Sequence, residues 1–238
     1  MTDSRDRLLG VLSRPDAILL DMDGVIADVS RSYRAAILET VRRFGAAIEA
    51  EEIAAAKRRG QANNDWELSC QLLKDHGVQV DLAEVTACFE ALYQGGDDRS
   101  GLYMKETLIP SVADLRRLAS QCSLAIVTGR PRADANQFIR RFELGGFFSS
   151  CVCLEDAPQK PDPAPARLAM SQLGLGASSK VWMVGDTPDD MACATRAGIV
   201  ALGLLAPGDA VEPTEFALRQ AGAQRILKCF EQLVEMMQ

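Results

Sequence analysis

Asp21-Met22-Asp23-Gly24-Val25-Ile26-Ala27-Asp28 follows directly on Ala17-Ile18-Leu19-Leu20, and this junction decides the fold. Four apolar residues in a row read as a buried strand. The carboxyl end of that strand delivers two carboxylates, where open α/β sheets place their sites. Residues two apart in an extended chain point the same way, so Asp21 and Asp23 address one small volume. Gly24 permits a turn that a Cβ would hinder. Two like charges held together repel and one tends to keep a proton, so a nucleophile and an acid/base can come from one residue type. On this stretch alone, a strand that merely ends in a polar loop is the plain alternative. An EF-hand calcium loop fits poorly: it wants an oxygen ligand where Val25 sits and its Gly one step later.

Composition narrows the classes. The 238 residues suffice for one large domain, or a domain with a substantial insert. A charge of -7, from 26 Lys+Arg against 33 Asp+Glu, and the lack of a long basic run argue against nucleic acid as a partner. No stretch of about eighteen apolar residues suggests a membrane span, and residues 1–14 are too charged for a signal peptide. The 7 cysteines are an odd number without metal-ligand spacing, which points to a reducing, cytoplasmic setting rather than a disulfide framework. The single histidine, His76, precedes Gly77 at an expected helix end, where an imidazolium meets a favourable dipole. With one imidazole in the chain, carboxylate chemistry is the main candidate.

Along the chain, residues 30–44, 49–59, 65–76 and 82–93 carry helical patterning with no convincing strand between them, as expected of an all-helical insert. Residues 94–100 read as a Gly-rich hinge or loop. Strands are expected at 124–127, 151–153, 181–184 and 199–205. They alternate with helices at 111–120, 133–142, 163–173 and 188–197, and two further helices are expected at 214–221 and 227–237. This alternation predicts an α/β fold with a parallel, doubly wound sheet. Residues 1–16 read as a short arm or frayed helix.

Three more apolar strands run into chemically loaded loops: Thr128-Gly129-Arg130, Lys160-Pro161-Asp162-Pro163, and Gly185-Asp186 through Asp190. In a parallel sheet these loops share an edge with Asp21. Asp21 and Asp186 offer hard oxygen ligands of the kind Mg²⁺ takes. Thr128 and the amides after it suit phosphate oxygens, and Lys160 suits charge on phosphate and on Asp21. Each piece alone is ordinary, but the ordered set is not.

That ordered set resembles the haloacid dehalogenase superfamily, in particular the phosphoglycolate-phosphatase-like group with a helical cap inserted after the first motif. The resemblance implies a Rossmann-like core formed by residues 1–27 and 100–238, a mobile cap at 28–99, and Mg²⁺. It further implies Asp21 as nucleophile and Asp23 as acid/base, with Thr128 and Lys160 holding the phosphoryl group and Gly129 and Arg130 beside it. The metal is then held by the Asp21 carboxylate, the Asp23 backbone carbonyl and Asp186, with Asp190 on metal-bound water. Asp189 is a further acid at a position where the family varies, with solvent exposure as its simpler fate. The implied activity is a phosphatase acting on a small soluble phosphate monoester. A phosphomutase on the same fold and a non-catalytic binding member are the alternatives. Relatives that cleave carbon–halogen bonds lack an acid at the Asp23 position. A phosphonate-cleaving relative would need a cap lysine; Lys57 is a nominal candidate that reads better as a solvated helix residue.

Within the expected cap, Lys57 through Leu68 is the most unusual stretch. As a substrate reader, it would use Arg58 or Arg59 to meet an anion and the amides, Asn64 among them, to meet hydroxyl or amine groups. As plain structure, Asn64 or Asp65 caps the next helix and Trp66 packs inside. The wording Asn63-Asn64-Asp65-Trp66-Glu67-Leu68 resembles a subgroup of these hydrolases placed near histidine biosynthesis. Histidinol phosphate is therefore one candidate substrate, beside phosphoglycolate and sugar phosphates. A monomer or weak homodimer is expected.

Overall fold

The computed structural model describes residues 12–60, 62–96 and 99–238. The expected arm at 1–16 lies mostly outside these. Its end is tied down where the Asp16 amide donates to the Lys180 carbonyl at 2.7 Å.

In chain order the elements are β1 (Ala17–Leu20), β2 (Ala27–Asp28), α1 (Tyr33–Arg43), α2 (Ala50–Arg59), α3 (Asp65–Asp75), α4 (Leu82–Tyr93), β3 (Gly95–Gly96), β4 (Arg99–Ser100), β5 (Thr107–Leu108), α5 (Val112–Ala119), β6 (Ser123–Val127), α6 (Arg132–Arg141), β7 (Ser150–Val152), α7 (Ala164–Gln172), β8 (Val181–Gly185), α8 (Pro188–Ala197), β9 (Val200–Leu204), α9 (Val211–Gln220), β10 (Arg225–Leu227) and α10 (Glu231–Glu235). Six strands form one sheet in the order β10-β9-β8-β1-β6-β7. Every pairing in it is parallel, with Leu20 opposite both Ile126 and Val184.

The period-two alternation of a strand splits the core between the two faces. Ile18, Leu20, Ile126, Trp182 and Val184 pack on one side with α5, α10 and the helices α1–α4. Leu19, Ala125, Val127, Val181 and Met183 pack on the other with α7, α8 and α9. Because the strands are buried on both faces, they read as continuous apolar runs.

Two expectations need correcting. Of the stretch expected to be one helix over 227–237, Leu227 ends strand β10, which lies at the sheet edge with Leu227 opposite Leu204, and only α10 is helical. Three residues at an edge give too little alternation to register as a strand. Helix α9 starts at Val211 rather than at 214, with Pro213 in its first turn, where a proline is tolerated. The expected loop at 94–100 contains a two-residue ribbon, β3 against β4. A second ribbon, β2 against β5, ties the chain leaving β1 to the chain returning from α4.

His76 follows α3 as its C-terminal cap residue, and its Nε2 lies 2.9 Å from Glu52 Oε2. All seven cysteines are free. Among the described residues no helix is long and apolar enough to cross a membrane.

Candidate active site

The loop after β1 turns tightly because Gly24 adopts φ +76°, while the amides of Ile26 and Ala27 donate to the Met22 carbonyl at 2.9 and 2.8 Å. A Cβ on Gly24 would stand 2.1 Å from Asp186 Oδ2, so only glycine lets the β1 and β8 loops meet. Asp21, Asp186 and Asp190 are brought together there, with one oxygen of each within 4.8 Å of the others. All three are buried.

Lys160 enters from the loop after β7. Its Nζ donates to Asp21 Oδ1 at 2.7 Å, Asp190 Oδ1 at 2.5 Å and the Val127 carbonyl at 3.3 Å. Asp190 is fixed from its other oxygen by Thr187, whose amide and hydroxyl donate to Oδ2 at 3.0 and 2.6 Å in a capping box at the start of α8. Both oxygens of Asp190 are thus held by protein donors.

Three carboxylates face one ammonium, and the electrostatics follow. Burial pushes Asp21 up to about 7, Asp190 and Asp23 add to the rise, and Lys160 opposes it. Burial also drives Asp186 well above the carboxylate range, with Asp190 and Asp21 adding and Arg34 opposing. Burial pulls the Lys160 ammonium down, but Asp190 and Asp21 outweigh it and hold it above its ordinary value. Asp186 Oδ1 is buried with no hydrogen-bond partner. An orphaned buried carboxylate oxygen is costly, and in a cluster short of positive charge it matches a hard divalent cation such as Mg²⁺.

Thr128, buried at the end of β6, accepts from the Arg130 amide through Oγ1 at 3.1 Å, which leaves its hydroxyl proton to donate elsewhere. Gly129 admits the neighbouring loop: a Cβ there would stand 3.0 Å from the Asn63 carbonyl oxygen.

Arg130 differs from expectation. It is 1% exposed and its guanidinium is spent on protein groups: Asp23 Oδ1 at 2.6 Å, both oxygens of Glu106 at 3.1 and 3.2 Å, and the Tyr93 hydroxyl at 3.3 Å. It offers no free fork to a substrate.

The segment between α2 and α3 lies over this edge of the sheet. Asn63 Nδ2 donates to the Lys160 carbonyl at 2.9 Å and to Asp189 Oδ2 at 2.8 Å, and the Ala62 amide donates to the same Asp189 oxygen at 3.2 Å. Asp189 is therefore buried under this loop rather than solvated. Asn64 Oδ1 accepts from the amides of Trp66 and Glu67, so the side chain caps α3 while the residue lines a small cavity beside Asp23. Tyr33, Trp66, Gly129, Arg130 and Leu154 complete much of that cavity wall.

Lys57 also departs from expectation. It is not a solvated helix lysine but pairs with Asp65 at 2.8 Å and donates to the Ala62 carbonyl at 3.3 Å, bracing both ends of the loop. Although burial opposes it, Asp65 raises its pKa, so Lys57 stays charged and is a poor amine nucleophile. Arg58 pairs with Glu51, and Arg59 is exposed. Neither reaches the Asp23 cavity.

Sequence reasoning missed Asn63, Glu106 and Arg34. Asn63 carried a signal: if Asn64 caps α3, the adjacent amide is free to turn toward the sheet. Arg34, on α1, pairs with Asp209 at 2.6 Å and stands close enough to favour the charged form of Asp186. Nothing local marked Glu106, whose partners come from distant parts of the chain.

Residues 18–204 match a family model described as haloacid dehalogenase-like hydrolase. An imidazoleglycerol-phosphate dehydratase of Phytophthora nicotianae is 45% identical over 197 residues, which cover 80% of this chain and 43% of that protein. The match thus spans less than half of that relative. A phosphoglycolate phosphatase of Pseudomonas putida is 28% identical over 198 residues, covering 80% and 69%. A hydrolase from Pseudomonas syringae superposes with a TM-score of 0.74 at 19% identity over 93% of this chain and 96% of that one, a likeness of fold.

Proposed function

Because the chain belongs to the haloacid dehalogenase-like hydrolase family, we propose that it is a Mg²⁺-dependent phosphatase that hydrolyses a small phosphate monoester through an aspartyl-phosphate on Asp21. The observation that carries this reading is the buried group Asp21, Asp186, Asp190 and Lys160, with Asp23 beside it. Residues 28–99 are the cap in this account.

Asp21 attacks phosphorus in line while the bond to the leaving oxygen breaks. That oxygen keeps the electron pair and takes a proton from Asp23. Asp23 then accepts a proton from water as the water attacks phosphorus, the bond from phosphorus to the Asp21 oxygen breaks with its electron pair returning to the carboxylate, and inorganic phosphate leaves. Thr128 and Lys160 hold phosphoryl oxygens. Lys160 also keeps Asp21 aligned, and such positioning with charge neutralisation supplies most of the rate in phosphoryl transfer. Asp21, the Asp23 carbonyl and Asp186 would hold Mg²⁺, which when bound neutralises charge on the transferring group.

The cap loop closes the site. Asn63, docked on Lys160 and Asp189, brings the Asn64 and Trp66 segment over the cavity beside Asp23, so the leaving group is enclosed there. Two observations bear on which leaving group fits. The cavity's own cation, Arg130, is already committed to carboxylates, and Arg58 is paired outside it. Among the described residues lining the cavity, no cation besides the committed Arg130 is present for a second anion, which favours an alcohol without a carboxylate over phosphoglycolate. The relative named for an imidazole-bearing phosphate supports histidinol phosphate as the first compound to try.

The test is phosphate release from histidinol phosphate, phosphoglycolate and several sugar phosphates, with and without Mg²⁺, for wild type and Asp21→Asn. Metal-dependent release that is lost in Asp21→Asn supports the reading. No release from any compound, with no phosphoryl-enzyme trapped, moves it to a mutase or a non-catalytic binder.

A further inference from the structure

We propose that Arg130 and Glu106 are positioning residues for Asp23, and that they tie the aim of its carboxylate to the two crossings that join the helical cap to the core. This rests on the reading of Asp23 as the acid/base.

Both Arg130 Nε and Nη2 lie 2.6 Å from a single oxygen of Asp23, Oδ1. The other oxygen makes no hydrogen bond to the described residues, and the Asp23 side chain is 30% exposed toward the cavity lined by Tyr33, Asn64 and Trp66. Arg130 thus fixes which oxygen is held back and which meets the leaving group. A planar fork does this where a lysine ammonium would not, because its donors are set in fixed directions.

The guanidinium is itself immobilised. Its carbon lies over the Tyr33 ring at 4.8 Å from the centroid and over the Phe138 ring at 5.3 Å. Its far side is gripped by both oxygens of Glu106. Glu106 in turn accepts from Ser32 Oγ at 2.9 Å and from the Tyr93 hydroxyl at 3.0 Å.

The placement of those donors gives the network its meaning. Ser32 precedes α1, where the chain leaves the core for the cap. Tyr93 ends α4, the last cap helix, and Glu106 lies on the strand-bound return just before β5. One buried carboxylate therefore touches the outgoing crossing, the end of the cap and the guanidinium that aims Asp23. A shift of the cap about these crossings reaches Asp23 through Glu106 and Arg130. A purely structural ion pair needs no such contact with the acid, and buried charge pairs are poor sources of net stability.

The test compares full-length wild type, Glu106→Gln, Ser32→Ala, Arg130→Lys, Asp23→Asn and Asp21→Asn on two substrates with Mg²⁺. One is the best alkyl phosphate found for the wild type. The other is p-nitrophenyl phosphate, whose leaving group departs without a proton. Asp23→Asn sets the full differential, with the alkyl ester slowed by about 100-fold more than the aryl ester. Glu106→Gln and Arg130→Lys are expected to slow the alkyl ester at least about tenfold more than the aryl ester. Ser32→Ala, which removes a single hydroxyl, is expected to shift the ratio in the same direction while the protein stays folded, its melting temperature lowered by about 2–8 °C for one lost buried hydrogen bond to a carboxylate. Equal losses on both substrates in Glu106→Gln and Ser32→Ala, or no loss on either, overturn the proposal. If wild type releases phosphate from neither substrate, the phosphatase reading falls first and takes this inference with it. If Asp21→Asn loses both substrates and Asp23→Asn shows the differential while Glu106→Gln and Ser32→Ala do not, only this inference falls.

Discussion

Asn63 Nδ2 donates to Asp189 Oδ2 at 2.8 Å, and the same nitrogen donates to the Lys160 carbonyl at 2.9 Å. One amide thus fastens the cap loop both to the loop after β7 and to the first turn of α8. Hydrogen bonds to a charged acceptor contribute more than neutral ones, so Asn63→Ala is expected to raise KM about tenfold, since about 1.4 kcal/mol is a factor of ten. The melting temperature should fall by about 2–6 °C, because the same bonds are present in the free enzyme. Limited proteolysis between α2 and α3 should speed up, and substrate should slow it less than in wild type. An unchanged KM and cleavage rate would mean the loop is held by other contacts.

Gly24 is where backbone geometry and metal chemistry meet. With φ +76° and Asp186 Oδ2 2.1 Å from the position of a Cβ, Gly24→Ala must move Asp186 or the turn. The expected result is a folded protein with Mg²⁺-dependent turnover abolished and Mg²⁺ binding weakened in calorimetry. Wild-type affinity in this variant would remove Asp186 from the metal site.

The fold and much of the site were legible because both are written in local runs. The apolar strands Ala17–Leu20 and Val181–Gly185 are buried on both faces and need no partner to be seen. Asp21, Thr128, Lys160 and Asp186 follow such strands or the loop after one, and a parallel sheet gathers those ends. What stayed hidden depended on contact between distant segments. Arg130 looked like a phosphate ligand because its local context is a phosphate-type loop, yet Glu106, 24 residues away, claims it. Lys57 looked solvated because its helix is polar, yet Asp65 turns back to meet it. β10 escaped because three edge residues carry no pattern of their own.

Asp21 gives a pH signature. Its folded-state value is raised from 3.8 to about 7, so the metal-free native state binds a proton the unfolded chain has already released. Stability therefore falls as pH rises between those values, with the loss complete above about 7. The buried Asp186 shifts in the same direction. A bound divalent cation favours the ionised carboxylates, so the gain in melting temperature from Mg²⁺ is expected to be larger above pH 7 than below it. Thermal melts across pH with and without Mg²⁺ check this. A gain independent of pH would contradict it.

Asn64 and Arg59 separate structure from recognition in the cap. Asn64 accepts from two amides at the start of α3, so Asn64→Ala should cost about 1 kcal/mol of stability. That loss is a drop of about 2–4 °C in melting temperature. Arg59 is exposed, and Arg59→Ala should leave stability within about 0.5 kcal/mol and KM unchanged. A large KM increase in Arg59→Ala would return this residue to the substrate.

The most direct test of the central claim is acid quenching of the enzyme during turnover with Mg²⁺ and the best substrate of the panel, followed by peptide mass analysis. The account predicts one phosphoryl group on the peptide carrying Asp21, labile to hydroxylamine as an acyl phosphate is, and absent from Asp21→Asn. A phosphoryl group on another residue, or phosphate release that Asp21→Asn retains at the wild-type rate, would contradict it.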